Sequence, residues 1–132
     1  MFHSGTQEFL RVWSGLAEAG RIPFRRDLRP EALGVLLNRA FLAERGTETP
    51  MVALAGGWVE RLHGDALMRR PWLDLWREED RAPLADALFR LFREARPVVV
   101  AADAGQANGR LEITLAPLRG PHGAADRLIG LY

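Results

Sequence analysis

The chain has 132 residues, 48% of them apolar and 27% charged, with a net charge of +1 and no cysteine. That is one domain's worth of protein, able to bury roughly two thirds of its unfolded surface without staples. The lack of cysteine excludes disulfides, thiolate metal sites, thiol nucleophiles and cysteinyl adducts with a chromophore, and the near-zero charge leaves no global field to attract nucleic acid or acidic lipid.

All 18 basic residues are arginine. Together with the richness in Ala, Gly, Leu and Pro, this reads as the codon bias of a GC-rich bacterial genome. No apolar run approaches the roughly 18 residues a membrane span needs. Met1 to Glu8 shows no basic start followed by an apolar stretch. The chain therefore reads as cytoplasmic, with no secretory signal and no membrane partner.

From the amino terminus, Thr6 is placed to cap a helix running to about Ala19 and ended by Gly20. Phe9, Val12, Trp13 and Leu16 fall at i, i+3, i+4 and i+7 and make one apolar stripe. Arg21 to Arg29 reads as extended loop. Pro30 and Glu31 then open a short helix to about Asn38, with Leu33, Leu36 and Leu37 as its apolar members. Arg39 to Arg45 and Met51 to Ala55 read as a hairpin across the turn Gly46 to Pro50. Trp58 to His63 is a helical piece stopped by Gly64, and Pro71 to Trp76 is a second one.

The longest predicted helix covers about Arg81 to Ala95, with Glu78, Glu79 and Asp80 before its positive end. Leu84, Leu88, Leu91, Phe92 and Ala95 mark its buried face, and Pro97 ends it. Three further strands follow, at Pro97 to Ala101, Arg110 to Leu118 and Arg127 to Tyr132, across turns at Gly105 to Gly109 and Gly120 to Gly123. No repeating strand–helix–strand pattern is present, so a doubly wound parallel sheet is disfavoured. The fold class is α+β, a five-stranded antiparallel sheet with helices on one face plus N-terminal helices. Met51 to Ala55 and Pro97 to Ala101 are apolar on both sides, which suggests a sheet covered on both faces. The stripe of the N-terminal helix or a second protomer would supply the second cover.

This order of elements resembles the PAS domain, most closely a short bacterial PAS-like family with extra N-terminal helices. Four stretches carry the resemblance. Ile22-Pro-Phe-Arg-Arg-Asp-Leu-Arg-Pro30 resembles that family's lead-in loop, and Leu54-Ala-Gly56 its strand-to-helix corner. Gly64 with Leu67 and Leu73-Asp-Leu-Trp76 resembles its mid-domain segment. Gly109-Arg-Leu-Glu112 with Leu115-Ala-Pro-Leu118 resembles its fourth strand. The chain departs from the pattern at Gly57, where a hydroxyl residue is frequent, and at Arg69, where glycine is frequent. The resemblance divides the chain into an N-terminal helical extension, 1–38, and a PAS-like domain, 39–132. It implies a sensory or regulatory module in signal transduction that binds a small molecule, or a signalling partner, or chiefly dimerises.

Candidate sites are sparse. Glu60 and His63 share one helix face, but a di-metal bundle needs that spacing twice with two more carboxylates, so His63 reads as a turn or surface residue. His3 and His122 complete no ligand set, and no metal is expected. The resemblance implies that a haem sensor would carry an axial histidine on the long helix, and Arg81 to Ala95 has none. A flavin adduct needs the cysteine this chain lacks. Arg21, Arg25, Arg26 and Arg29 read as a solvated loop with Asp27 paired to one arginine, rather than a nucleic-acid patch.

Trp58, Trp72 and Trp76 are more informative, because clefts between helices and sheets use large apolar rings. With Leu62, Leu75, Leu88, Phe92, Ile113 and Leu115 they form the expected ligand pocket, for a small apolar molecule. Phe9, Val12, Trp13 and Leu16 form the expected homodimer interface, with folding back onto the chain's own sheet as the competing use of the same stripe. The alternative function is a pure interaction module with a self-filled core. A small enzyme is the distant third, with no catalytic residues to assign.

Overall fold

A computed structural model describes residues 4–17, 21–46, 49–64, 66–103 and 109–132. The strands are β1 (Ala40–Glu44), β2 (Met51–Ala55), β3 (Val98–Asp103), β4 (Arg110–Leu118) and β5 (Arg127–Leu131). They form one sheet in the order β2-β1-β5-β4-β3, every pairing antiparallel. The helices are α1 (Ser4–Leu16), α2 (Gly57–His63) and α3 (Glu78–Glu94). Short 3-10 segments occupy Arg25–Asp27, Pro30–Arg39 and Trp72–Leu75. The α+β class and the five-stranded antiparallel sheet agree with the expectation. Among the described residues no helix is long and apolar enough to cross a membrane.

Strand alternation sorts the core into two layers. Phe41, Ala43, Val52, Val98, Ile113, Leu115 and Leu128 point to the face covered by α2, Trp72–Leu75 and α3. Ala40, Ala116, Leu118, Ile129 and Leu131 point to the opposite face, where they meet Phe9, Leu28 and Leu33. α1 is the lid of that second face. Phe9 is fully buried there, and the Trp13 indole N–H donates to the Pro117 carbonyl at 2.9 Å. The second core layer thus joins residues from both sides of position 38.

Several boundaries differ from expectation for identifiable reasons. Thr6 is not a cap but lies inside α1, which starts at Ser4. Its hydroxyl turns under the helix onto the Glu112 carboxylate and accepts from the Thr114 hydroxyl at 3.2 Å. Within the described residues α1 ends at Leu16; Gly20, the expected stop, lies outside them, as do His3, Asp65 and most of the turn before Gly109. Pro30–Arg39 is 3-10 rather than α because Gly34, at φ 55° and ψ −126°, breaks it into two turns. α3 begins three residues early, so the acids form its first turn, with Pro83 in its second. A proline so near the start forfeits one hydrogen bond without ending the helix.

The strands read as doubly covered were the wrong ones: β2 and β3 are the edges, and β1, β5 and β4 lie between the layers. Leu54 on β2 is 51% exposed and Ala101 on β3 is exposed. Arg69, which stands where the PAS pattern often has glycine, has φ 67°. Left-handed backbone explains that preference for glycine.

Ala95 closes α3 in the same left-handed conformation, φ 57°, its N–H bonded to the Leu91 carbonyl. A side chain in that region costs about 1–2 kcal/mol. Ala95→Gly is therefore expected to stabilise the fold by about 0.5–1 kcal/mol after glycine's extra unfolded-state entropy is subtracted. Urea denaturation of the two proteins checks it, and a less stable variant would refute the cap argument.

Candidate functional site

The space between the sheet and the α2/α3 side is the natural site. Phe41 on β1 and the chain's last residue, Tyr132, project from the sheet, while Trp72 and Trp76 come in from the segment before α3. Phe41 stacks on Trp72 with ring centroids 5.3 Å apart and meets Tyr132 edge-on at 5.6 Å. Trp72 and Trp76 meet at 5.9 Å, and Trp76 and Tyr132 at 5.5 Å. Trp58 on α2 packs edge-on against Tyr132, with the Arg39 guanidinium 3.9 Å from its ring centre. Arg39 also holds the end of the chain: its Nε donates to the Tyr132 carbonyl, and its own carbonyl accepts from the Tyr132 N–H.

A polar chain threads these rings. The Trp72 indole N–H donates to the Tyr132 hydroxyl oxygen at 3.0 Å, and that hydroxyl lies 2.7 Å from His63 Nε2. The imidazole also bonds the Leu75 backbone. With Trp72 as a pure donor, the hydroxyl gives its own proton to Nε2, and the other ring nitrogen carries the proton shared with Leu75. A second proton on the ring would leave the tyrosine hydroxyl with two donors aimed at it.

His63 is accordingly held neutral, its pKa lowered to about 4, mainly by burial and further by the charge of Arg70, against the opposing pull of the Leu75 bond. Burial also raises the Tyr132 hydroxyl well above the ordinary phenol range. In the unfolded chain His63 titrates near 6.5. Between about pH 6.5 and 4 the unfolded state therefore binds a proton that the folded state does not. Stability present above pH 6.5 falls through that window and stops falling on this account below about 4. His63→Gln should flatten the wild-type slope there; equal slopes for both proteins would show that the ring does not titrate as described.

The structure brings all nine residues of the expected pocket into one cluster. Trp72, Trp76, Leu88, Ile113 and Leu115 are buried, and Trp58, Leu62, Leu75 and Phe92 pack half-buried against them. What sequence reasoning missed are Phe41, His63 and Tyr132. His63, expected as a turn or surface residue, is the half-buried last residue of α2, with its ring 4.9 Å from Trp76. Only the pairing of the chain's last residue beside β1 places a hydroxyl within its reach. Among the described residues no group of three metal-binding side chains occurs. Asp27 forms no ion pair among those of the described residues; instead Arg26 and Arg119 both lie over the Phe24 ring, at 4.2 and 3.8 Å.

A second feature lies on the opposite face. There Leu28, Leu33, Leu42, Leu54 and Ile129 wall an open recess of about 520 Å³, with Arg25 and Asn38 as its polar members. No residue of the expected pocket lines it.

A family model described as a PAS domain matches residues 1–132. Among curated proteins no sequence matches this chain. Solved structures of light-oxygen-voltage domains share its fold. One, reported with a flavin analogue, is 15% identical with a TM-score of 0.60, over 76% of this chain and 79% of that one. The light state of the blue-light photoreceptor Aureochrome1 LOV is 15% identical with a TM-score of 0.57, over 76% and 84%. The Rhodobacter sphaeroides LOV protein is 16% identical with a TM-score of 0.56, over 95% and 65%.

Proposed function

We propose that this chain, which belongs to the PAS domain family, is a sensory or regulatory module of signal transduction that acts through a protein partner, the space between its sheet and helices being filled by its own side chains. The aromatic packing supports this reading. Phe41, Trp72, Trp76 and Tyr132 are each at most 5% exposed and touch one another. A flavin, reported as an analogue with one of these light-oxygen-voltage domains, does not suit this chain. A tricyclic ring between sheet and helices would need the space these side chains occupy, and there is no cysteine for an adduct.

One observation favours a second reading, a small ligand inside. Trp76 Nε1 is buried and has no hydrogen-bond partner, and such a donor is costly unless an acceptor reaches it. Both readings meet in one experiment. The indole N–H signals of Trp72 and Trp76 are followed by ¹H–¹⁵N NMR while flavin mononucleotide, haem and small apolar molecules are added. Neither signal should move. A saturable shift of both would overturn the closed interior and establish the internal ligand.

The partner includes, in the simplest case, a second copy. Phe9 of the α1 stripe is buried in the chain's own sheet, while Val12, Trp13 and Leu16 are half-buried. A twin helix would add on that flank. A dimer seen by light scattering and dissociated by Trp13→Glu would assign the contact to α1. A wild type that stays monomeric at high micromolar concentration leaves the helix as the lid of its own sheet.

A further inference from the structure

The recess on the outer face has a charge pattern of its own, and this inference does not depend on the closed interior. Its walls are mostly aliphatic, Leu28, Leu33, Leu42, Leu54 and Ile129, with Phe41 as the aromatic member. Leu37 and Leu54, at its mouth, are 44% and 51% exposed. Exposed leucines around a concave apolar surface are costly to leave in water and mark binding sites. Asn38 has its side-chain oxygen occupied by the Trp58 N–H, at 3.1 Å.

Arg25 lines this recess and also a smaller neighbouring one, of about 340 Å³, shared with Arg26, Arg119 and Arg127. Arg127 is neutralised by Glu44 and Asp126. Arg25, Arg26 and Arg119 form no ion pair among those of the described residues. Arg119 donates to the Ile22 carbonyl, and Arg25 makes only a long contact, 3.5 Å, to the Leu28 carbonyl. Of these three guanidinium groups without carboxylates, Arg25 lines the apolar recess itself, while Arg26 and Arg119 line the neighbouring one and lie over the Phe24 ring.

We infer that this outer-face recess binds an amphipathic monoanion of the fatty-acid class, its alkyl chain along the leucines and its carboxylate on Arg25, where the recess adjoins that of Arg26 and Arg119. A guanidinium fork matches a carboxylate in two parallel hydrogen bonds. An alkyl chain suits the trough better than a peptide, whose backbone would bring amide groups to walls with little to bond them.

Decanoate is the probe, used below its micelle concentration, with calorimetry for affinity and methyl NMR for location. Wild type should bind one decanoate saturably and shift the Leu42 and Leu54 methyls while the Trp72 and Trp76 indoles stay in place. Decyltrimethylammonium should not bind. Arg25→Glu and Leu54→Glu, both at solvent-accessible positions and checked for folding by circular dichroism, should each weaken binding roughly tenfold or more. No saturable binding, equal binding of the cationic analogue, or wild-type affinity in both variants overturns the site. A shift of the two indoles instead of the methyls also overturns it, and at the same time refutes the closed interior; unmoved methyls and unmoved indoles refute this site alone.

Discussion

Trp72→Ala is expected to lower the free energy of unfolding by about 3–5 kcal/mol, the usual range for removing a buried large aromatic ring. The ring is 1% exposed, stacks on Phe41 and touches Trp76, so few neighbours are free to collapse into the space it leaves. The substitution also removes the donor to Tyr132, whose hydroxyl holds His63. Trp72→Phe separates the two contributions. It keeps most of the packing and deletes the indole N–H, and should cost about 1–2 kcal/mol from the hydrogen bond and the reduced ring. Guanidinium denaturation followed by circular dichroism measures both. A loss below about 1 kcal/mol for Trp72→Ala would mean that the aromatic cluster is not tightly packed.

Gly130→Ala should also destabilise the fold, for the opposite reason. Gly130 sits on β5 between Phe41 of β1 and Leu115 of β4. A Cβ there would stand 2.2 Å from Phe41 Cε1 and 2.6 Å from its Cζ. The Phe41 ring has no room to withdraw, because Trp72 is stacked on it and Tyr132 meets its edge. Overpacking of this kind costs about 1–3 kcal/mol, sometimes more. Phe41→Leu in the Gly130→Ala background should restore part of the loss, and a double-mutant cycle should show strong coupling between the two positions. Additive effects would place the ring elsewhere.

How much of this was legible beforehand varies with the kind of interaction. β2 and β4 match the predicted spans Met51 to Ala55 and Arg110 to Leu118, and α2 matches within a residue. Local signals suffice there: alternation in the strands, Gly56-Gly57 at the corner, and Gly64 in left-handed conformation at the helix end. The α3 start was set three residues late because Glu78, Glu79 and Asp80 were read as preceding the helix, whereas acids favour the first turn itself. Thr6 was misread because a hydroxyl before an apolar run resembles a cap; its partners, Glu112 and Thr114, lie more than a hundred residues away.

Residue order alone settled the α+β class, the strand segments, the apolar stripe of α1 and the three tryptophans that cluster over the sheet. All of these follow from period, propensity and chain-local turn chemistry. Strand order came from folding: β5 is central while β2 and β3 are edges, because the order depends on pairings between distant segments. Tertiary contacts alone placed Tyr132 between Trp72 and His63, made Gly130 necessary beneath Phe41, and set Arg25 in an apolar recess beside that of Arg26 and Arg119. Each of these is a meeting of residues far apart in the chain, and no local pattern of side chains specifies which distant segments meet.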